Sequence, residues 1–207
     1  SLNQLELENR LPPLHYFVDS PLSLKATVAI KKYVHHFNSK MQKVLETDND
    51  PFDFKGLRHV ETVQDSIKLT EFDEPCVIIS ASGTADAGRV KHHIHTTVEN
   101  PDHMILLSGF CSDNTLGGRL LSGAKTVDLF GDECTVFAHI DKIDGMSAHG
   151  DSNDLLQFIS CQQPEKVQTV FLVHGDYTVQ QEFAEKIQRK GFNQIIIPTI
   201  HTTVELT

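Results

Sequence analysis

Two stretches of this chain, "PCVIISASG" (75–83) and "HMILLSG" (103–109), are apolar at nearly every position and close on small residues. A strand that lies on solvent alternates apolar with polar. One that is apolar throughout needs cover on both faces, and that cover comes from helices packed on a parallel sheet. Each run is followed by a helical pattern, "AGRVKHHIHTTV" after the first and "NTLGGRLLSG", closed by Gly123, after the second. Upstream, "HYFVDSP" (15–21) reads as a strand stopped by Asp-Ser-Pro. The stretch "LKATVAIKKYVHHFNSKM" then predicts one helix with Val28, Tyr33, Phe37 and Met41 at helical spacing. Residues 46–59 are acidic and rich in helix breakers, so a loop is expected there. Residues 60–72 suggest a short strand and a short helix. The expected class is α/β with a parallel sheet.

After Gly123 the pattern changes. "KTVDLFGDECTVFAHIDKI" (125–143) shows two alternating runs about Gly131-Asp132, a hairpin signal. "DSNDLLQFISC" then predicts a helix capped by Asp151 or Ser152. "VQTVFLV" (167–173) predicts a buried strand that delivers His174 at its carboxyl end. "DYTVQQEFAEKIQRKG" predicts a helix capped by Asp176 and ended by Gly191, and "NQIIIP" a last strand. The switch in pattern divides the chain into residues 1–123 and 124–207.

Composition narrows the function classes. A formal net charge of −10 argues against broad electrostatic binding to nucleic acid, so phosphate contacts must be local. No apolar run approaches membrane-spanning length, and no basic and apolar leader opens the chain. The four cysteines are widely spaced with no CxxC pair, as in reduced thiols of a cytoplasmic protein.

"SAHGD" (147–151) and "VHGD" (173–176) both write His-Gly-Asp at the mouth of a helix. Ligands in open α/β sheets bind beyond the carboxyl ends of strands, where loops open into helices. His149 and His174 could converge there on a metal or on one scissile bond. The alternative is that each Asp caps its helix and each His is incidental.

Four segments in order, "SASGTADAGRVKHHI", "SGFCSDNTLGGRLLSGAKTV", "DKIDGMSAHGDSNDLLQFI" and "VFLVHGD", resemble the β-CASP branch of the metallo-β-lactamase fold. Ribonuclease J and the endonuclease of pre-mRNA cleavage and polyadenylation belong to that branch. "YFVDSPLSLKAT" resembles the opening strand and helix of the β-CASP cassette, so the resemblance covers nearly the whole chain. It implies a parallel-sheet β-CASP domain over 1–123, followed by the C-terminal part of a metallo-β-lactamase (αββα) domain over 124–207. It implies that His174 is a zinc ligand and that His149, beside the scissile phosphate, is the general acid. The segment around Ser82, Gly83, Arg89 and His93 matches the family loop lining the RNA path, with Thr84 where relatives commonly have Met. RNA-processing members carry His at the position of His174 and DNA-processing ones Val, so single-stranded RNA is the implied partner.

The family also holds two zinc ions through an HxHxDH motif, another His and an Asp. No HxHxDH occurs here. "VHHFN" (His35, His36) and "KHHIH" (His92, His93, His95) come nearest, and neither is followed by Asp-His. The expectation is therefore a piece of a zinc-dependent ribonuclease that is inactive alone. The alternative is a catalytically inactive RNA-binding or scaffold member of the same family. The second part is expected to show bare apolar faces, or faces covered by another copy in a homodimer.

Overall fold

The computed structural model describes residues 2–146 and 149–205. The chain divides into two compact units, Ser1–Met146 and Ser147–Thr207. The first unit opens with helix α1 (Leu2–Leu7) and strand β1 (His15–Asp19), followed by helices α2 (Pro21–Lys31) and α3 (Ser39–Leu45). Strand β2 (Leu57–His59), helix α4 (Val63–Leu69) and strand β3 (Cys76–Ser80) come next. Helix α5 (Arg89–Thr97), strand β4 (Met104–Leu107) and helix α6 (Leu116–Leu121) precede strands β5 (Thr126–Leu129), β6 (Asp132–Thr135) and β7 (His139–Lys142). Strand β1 lies between β2 and β3, and both pairings are parallel. The α/β fold with parallel strands is the one the apolar runs called for.

Three local expectations change. The single helix expected over 24–41 is broken into α2 and α3 by a 3-10 turn at Val34–His36. Asn38 is extended there, and its side chain caps α3 by accepting from the Met41 N–H at 3.0 Å. A strong N-cap inside a periodic stretch starts a new helix rather than continuing the old one. Val28 and Tyr33, two of the four residues at helical spacing, are exposed. The loop expected over 46–59 contains β2, whose three residues find their partner only in β1. The β5–β6 hairpin turns at Phe130-Gly131 rather than Gly131-Asp132, with Leu129 paired to Asp132. Both turn residues have positive φ, 60° and 95°, the two-residue turn that matches strand twist.

Packing sets the rest. Strand β7 pairs in parallel with β4, from Met104↔His139 to Leu107↔Lys142. Val127, Leu129 and Cys134 of the hairpin share one core with Ile94, Ile105 and Leu116. Residues 124–142 therefore pack within the first unit, and the compact units part at Met146, later than the change of strand pattern at 123. A second cluster, Phe17, Val60 and Leu69, lies between the first sheet and α4. Strand β4 buries Ile105 and Leu107 but leaves Met104 58% and Leu106 48% exposed. Its apolar run is thus covered on one face only.

The second unit holds helix α7 (Ser152–Ile159), strand β8 (Val170–Phe171), helix α8 (Tyr177–Arg189) and strand β9 (Ile195–Ile196). Strands β8 and β9 pair in parallel over two residues. Ile187 and Phe192 are buried, whereas Leu155, Phe158, Val173 and Val179 stand exposed.

Candidate functional site

In the first unit, β1 and β3 end side by side, with Asp19 opposite Ser80. The Ser80 hydroxyl donates to the Asp19 carbonyl at 2.9 Å and ties the two carboxyl ends together. Beyond them, Ser20 caps α2 and Pro21 occupies its first turn. Residues Ala81–Gly88 form the loop that opens α5. Both are the positions where parallel α/β sheets receive ligands.

The loop is held by its own backbone. Ser82 N–H donates to Ala87 O at 3.0 Å and Ala85 N–H to Ser82 O at 3.1 Å. Gly88 has φ +81°, and a Cβ there would stand 2.5 Å from the Ala81 carbonyl oxygen, so only glycine fits. The opening of α6 holds the loop from outside: Gly117 N–H donates to Thr84 O at 2.8 Å, and the Asp86 carboxylate accepts from Leu116 N–H at 2.8 Å. At Gly83 the space is open, with no atom within 4 Å of a Cβ placed there. Among the described residues the N–H groups of Gly83 and Thr84 donate to no acceptor. Ser20, Leu22, Ser82, Gly88 and Arg89 border a hollow of ≈ 340 Å³ between the start of α2 and this loop.

Arg89 and His93, the cationic candidates of this segment, turn inward. Both reach Asp19, whose side chain is fully buried. Arg89 Nη1 donates to Asp19 Oδ1 at 2.5 Å, and the other carboxylate oxygen takes Ser66 Oγ at 2.6 Å and His93 Nε2 at 2.7 Å. Arg89 Nη1 also donates to the Val60 carbonyl at 3.1 Å, and Nη2 to the Glu61 carbonyl at 3.0 Å. Burial pushes the Asp19 carboxyl up. The hydrogen bonds from Ser66, His93 and Arg89, with the charge of Arg89, outweigh it and hold the group below the ordinary carboxylate value. Sequence reasoning passed over Asp19 and Ser66. The signal for Asp19 was an acid closing an apolar strand in "YFVDSP"; Ser66 had none.

In the second unit the two His-Gly-Asp phrases differ. Asp151 forms a capping box: its Oδ1 accepts from Asn153 and Asp154 N–H at 2.7 and 2.9 Å, while Asp154 accepts from Asp151 N–H at 3.1 Å. Asp176 stands at the N-cap of α8, yet its side chain makes no capping bond, contrary to expectation. His174 itself is left-handed, with φ 65°, and Gly175 follows at 144°. A histidine at positive φ is uncommon and costs local strain, which tertiary structure must hold in place. Capping therefore accounts for the first phrase and not for the second. Ser147 and Ala148 of the "SAHGD" phrase lie outside the described residues.

Lys186 Nζ donates to Ser152 Oγ at 2.9 Å, which sets the first turn of α7 against the second half of α8. His174 stands at the opposite end of α8; Lys186 is nine residues beyond Tyr177, about 14 Å of helical rise. Among the described residues no group of three or more His, Cys, Asp or Glu is placed to hold a metal ion. A protein-held zinc takes three or four donors, so the described residues do not by themselves make a complete zinc site. His92 stacks on Phe130 at 4.6 Å, and His95 lies edge-on to the same ring at 5.8 Å.

A small-residue loop with open backbone donors thus stands at the strand ends of a parallel α/β domain, where such folds receive ligands. Residues 1–120 match the Beta-Casp domain, and residues 134–198 match the Zn-dependent metallo-hydrolase RNA specificity domain. The chain belongs to the β-CASP family. It is similar to transcription termination factor FttA of Cenarchaeum symbiosum, 28% identical over 80% of this chain and 26% of that protein. An RNase J-like protein of Methanocaldococcus jannaschii is 27% identical over 90% of the chain and 41% of its own length. Cleavage and polyadenylation specificity factor 73 of Drosophila melanogaster is 25% identical over 89% and 26%. The chain thus spans between a quarter and about two-fifths of these relatives.

Proposed function

We propose that this chain is part of a zinc-dependent ribonuclease that hydrolyses phosphodiester bonds of single-stranded RNA in RNA processing or decay. His174 carries the reading. It follows a parallel strand, is held at positive φ, precedes an aspartate that does not cap, and lies within the match to an RNA specificity domain. In this reading His174 lends one imidazole to a two-zinc site whose other donors lie outside this chain's described residues.

The chain's own residues supply the rest. His149, at the mouth of α7, protonates the departing oxygen, a task suited to imidazole because it gains and loses a proton near neutrality. Ser82 and Gly83 meet the RNA backbone, with Arg89 and His93 behind them. Residues 1–123 act as the β-CASP cassette and 124–207 as the returning part of the metallo-β-lactamase domain. The bare apolar side chains of the second unit, among them Phe158 and Val179, are covered by the rest of the protein or by a second copy in a homodimer. No helix among the described residues is long and apolar enough to cross a membrane, and the cysteines are unpaired, which supports a cytoplasmic setting.

Metal analysis and RNA cleavage by the full-length protein test this. His174→Ala should lower zinc content. His149→Ala should keep the zinc and cut turnover by roughly 10²–10⁴. If His149→Ala empties the site, the two roles are reversed. A full-length protein without zinc or cleavage would instead be the catalytically inactive RNA-binding or scaffold member of the family. The 207-residue chain alone should neither hold zinc through dialysis nor cleave RNA.

A further inference from the structure

The buried carboxylate of Asp19 lies behind the loop that the proposed function gives to RNA. Arg89, His93 and Ser66 all reach it. Arg89 spends its guanidinium on Asp19 and on two backbone carbonyls, at 2.5, 3.1 and 3.0 Å. His93, one turn further along α5, and Ser66 of α4 take the second carboxylate oxygen. Strands β1 and β3 are joined to the same residue through Ser80. One side chain therefore fastens α4 and the first turns of α5 to the strand ends. Turning Arg89 toward a phosphate would strip the buried carboxylate of its charged partner, and an uncompensated buried charge costs more than one exposed phosphate contact returns.

We infer that Asp19 is a positioning residue for RNA: it holds Arg89 and His93 as an internal brace, so that the open N–H groups of Gly83 and Thr84, rather than the guanidinium, meet the phosphate. This rests on the reading that the Ser82–Gly88 loop lines the RNA path. The brace explains how a chain of net charge −10 can present an anion-accepting loop. Oriented peptide N–H groups of a loop attract phosphate without a surplus of side-chain cations. It also explains why Gly83 has no neighbour within 4 Å of a Cβ, since backbone donors act only where an anion can approach closely.

The test uses the full-length protein with a fluorescent single-stranded oligoribonucleotide, measuring cleavage kinetics and binding over a range of KCl. Asp19→Asn should raise KM about tenfold with kcat held within twofold, because the loop is misplaced while the chemistry is untouched. A merely structural role would reduce the active fraction, lowering kcat at constant KM, and would overturn the inference. Arg89→Gln should weaken RNA binding to a similar extent, with the double variant no weaker than either single one. The slope of log affinity against log salt should stay that of the parent. If Arg89 itself touches phosphate, Arg89→Gln lowers that slope by about 0.7, and Asp19→Asn tightens binding by freeing the guanidinium. Either result overturns the brace. Should Asp19→Asn not fold, Ser66→Ala removes one of the carboxylate's partners and should give a two- to threefold rise in KM with the same kcat; an unchanged KM overturns it. Gly83→Ala probes the underlying reading separately: unchanged RNA affinity there refutes the loop as the RNA path, whatever Asp19 does.

Discussion

Gly118 sits in the first turn of α6, where the chain doubles back on itself. A methyl group added there would stand 2.1 Å from the Ser112 carbonyl oxygen, 2.7 Å from its carbon and 2.9 Å from Asp113 Cα. All three are backbone atoms and cannot rotate away. The crowded loop is closed by Thr115 N–H donating to Ser112 O at 2.9 Å, and Thr115 Oγ1 in turn accepts from Gly118 N–H at 3.1 Å. In an isolated helix, alanine would be better than glycine by about 1 kcal/mol. Overpacking against fixed atoms costs about 1–3 kcal/mol, and a displaced Ser112 loses a hydrogen bond of about 1 kcal/mol. Crowding wins, and Gly118→Ala should destabilise the protein by about 2–3 kcal/mol. Urea unfolding of the full-length protein should then show its midpoint lowered by about 1 M. Gly123→Ala is the control. It has φ +82° with nothing within 4 Å of the new methyl, so its cost is the left-handed backbone alone, about 1 kcal/mol. Equal losses from the two, or a Gly118→Ala protein as stable as the parent, would refute the steric argument. Because the neighbouring Gly117 N–H holds Thr84 O, Gly118→Ala should also raise KM for RNA.

Other outcomes follow from the same geometry. The Asp19 carboxyl titrates lower in the folded protein than in the unfolded chain, where aspartate titrates near about 3.9. Its stabilisation is therefore complete above that value and is lost as pH falls through the lower folded one. Acid unfolding followed by far-UV circular dichroism should be shallower in Asp19→Asn, and an identical curve would count against the buried carboxylate. Cys161 is exposed, whereas burial pushes the thiols of Cys76, Cys111 and Cys134 up, those of Cys111 and Cys134 further through nearby carboxylates. An aromatic disulfide reagent should label Cys161 first, as peptide mass mapping would show. Phe130 stacks on His92 at 4.6 Å and receives Lys91 Nζ at 4.7 Å, so Phe130→Ala should lower stability by about 1–2 kcal/mol. A thermal midpoint unchanged from the parent would show those contacts to be idle.

What the sequence determined by itself is what local chemistry controls. Apolar runs gave β3 and β4, Asp151 and Gly123 marked helix ends, and the ordered motifs pointed to the β-CASP family. The strands and helix ends depend on residues within a few positions, so a window along the chain contains their cause. Tertiary structure alone decided the rest. Strand β2 exists because β1 offers a parallel edge, and β7 left the hairpin run to pair with β4, more than thirty residues earlier. Asp176 resembles a cap in sequence, but the left-handed turn at His174 and Gly175 sets the approach to α8, and no capping bond forms. Arg89 and His93 read as cations for a phosphate, and the fold gave them to Asp19, seventy or more positions away in the chain. A buried carboxylate attracts the nearest donors wherever they lie in sequence, because leaving it unpaired is too costly. Proximity of that kind is created by packing.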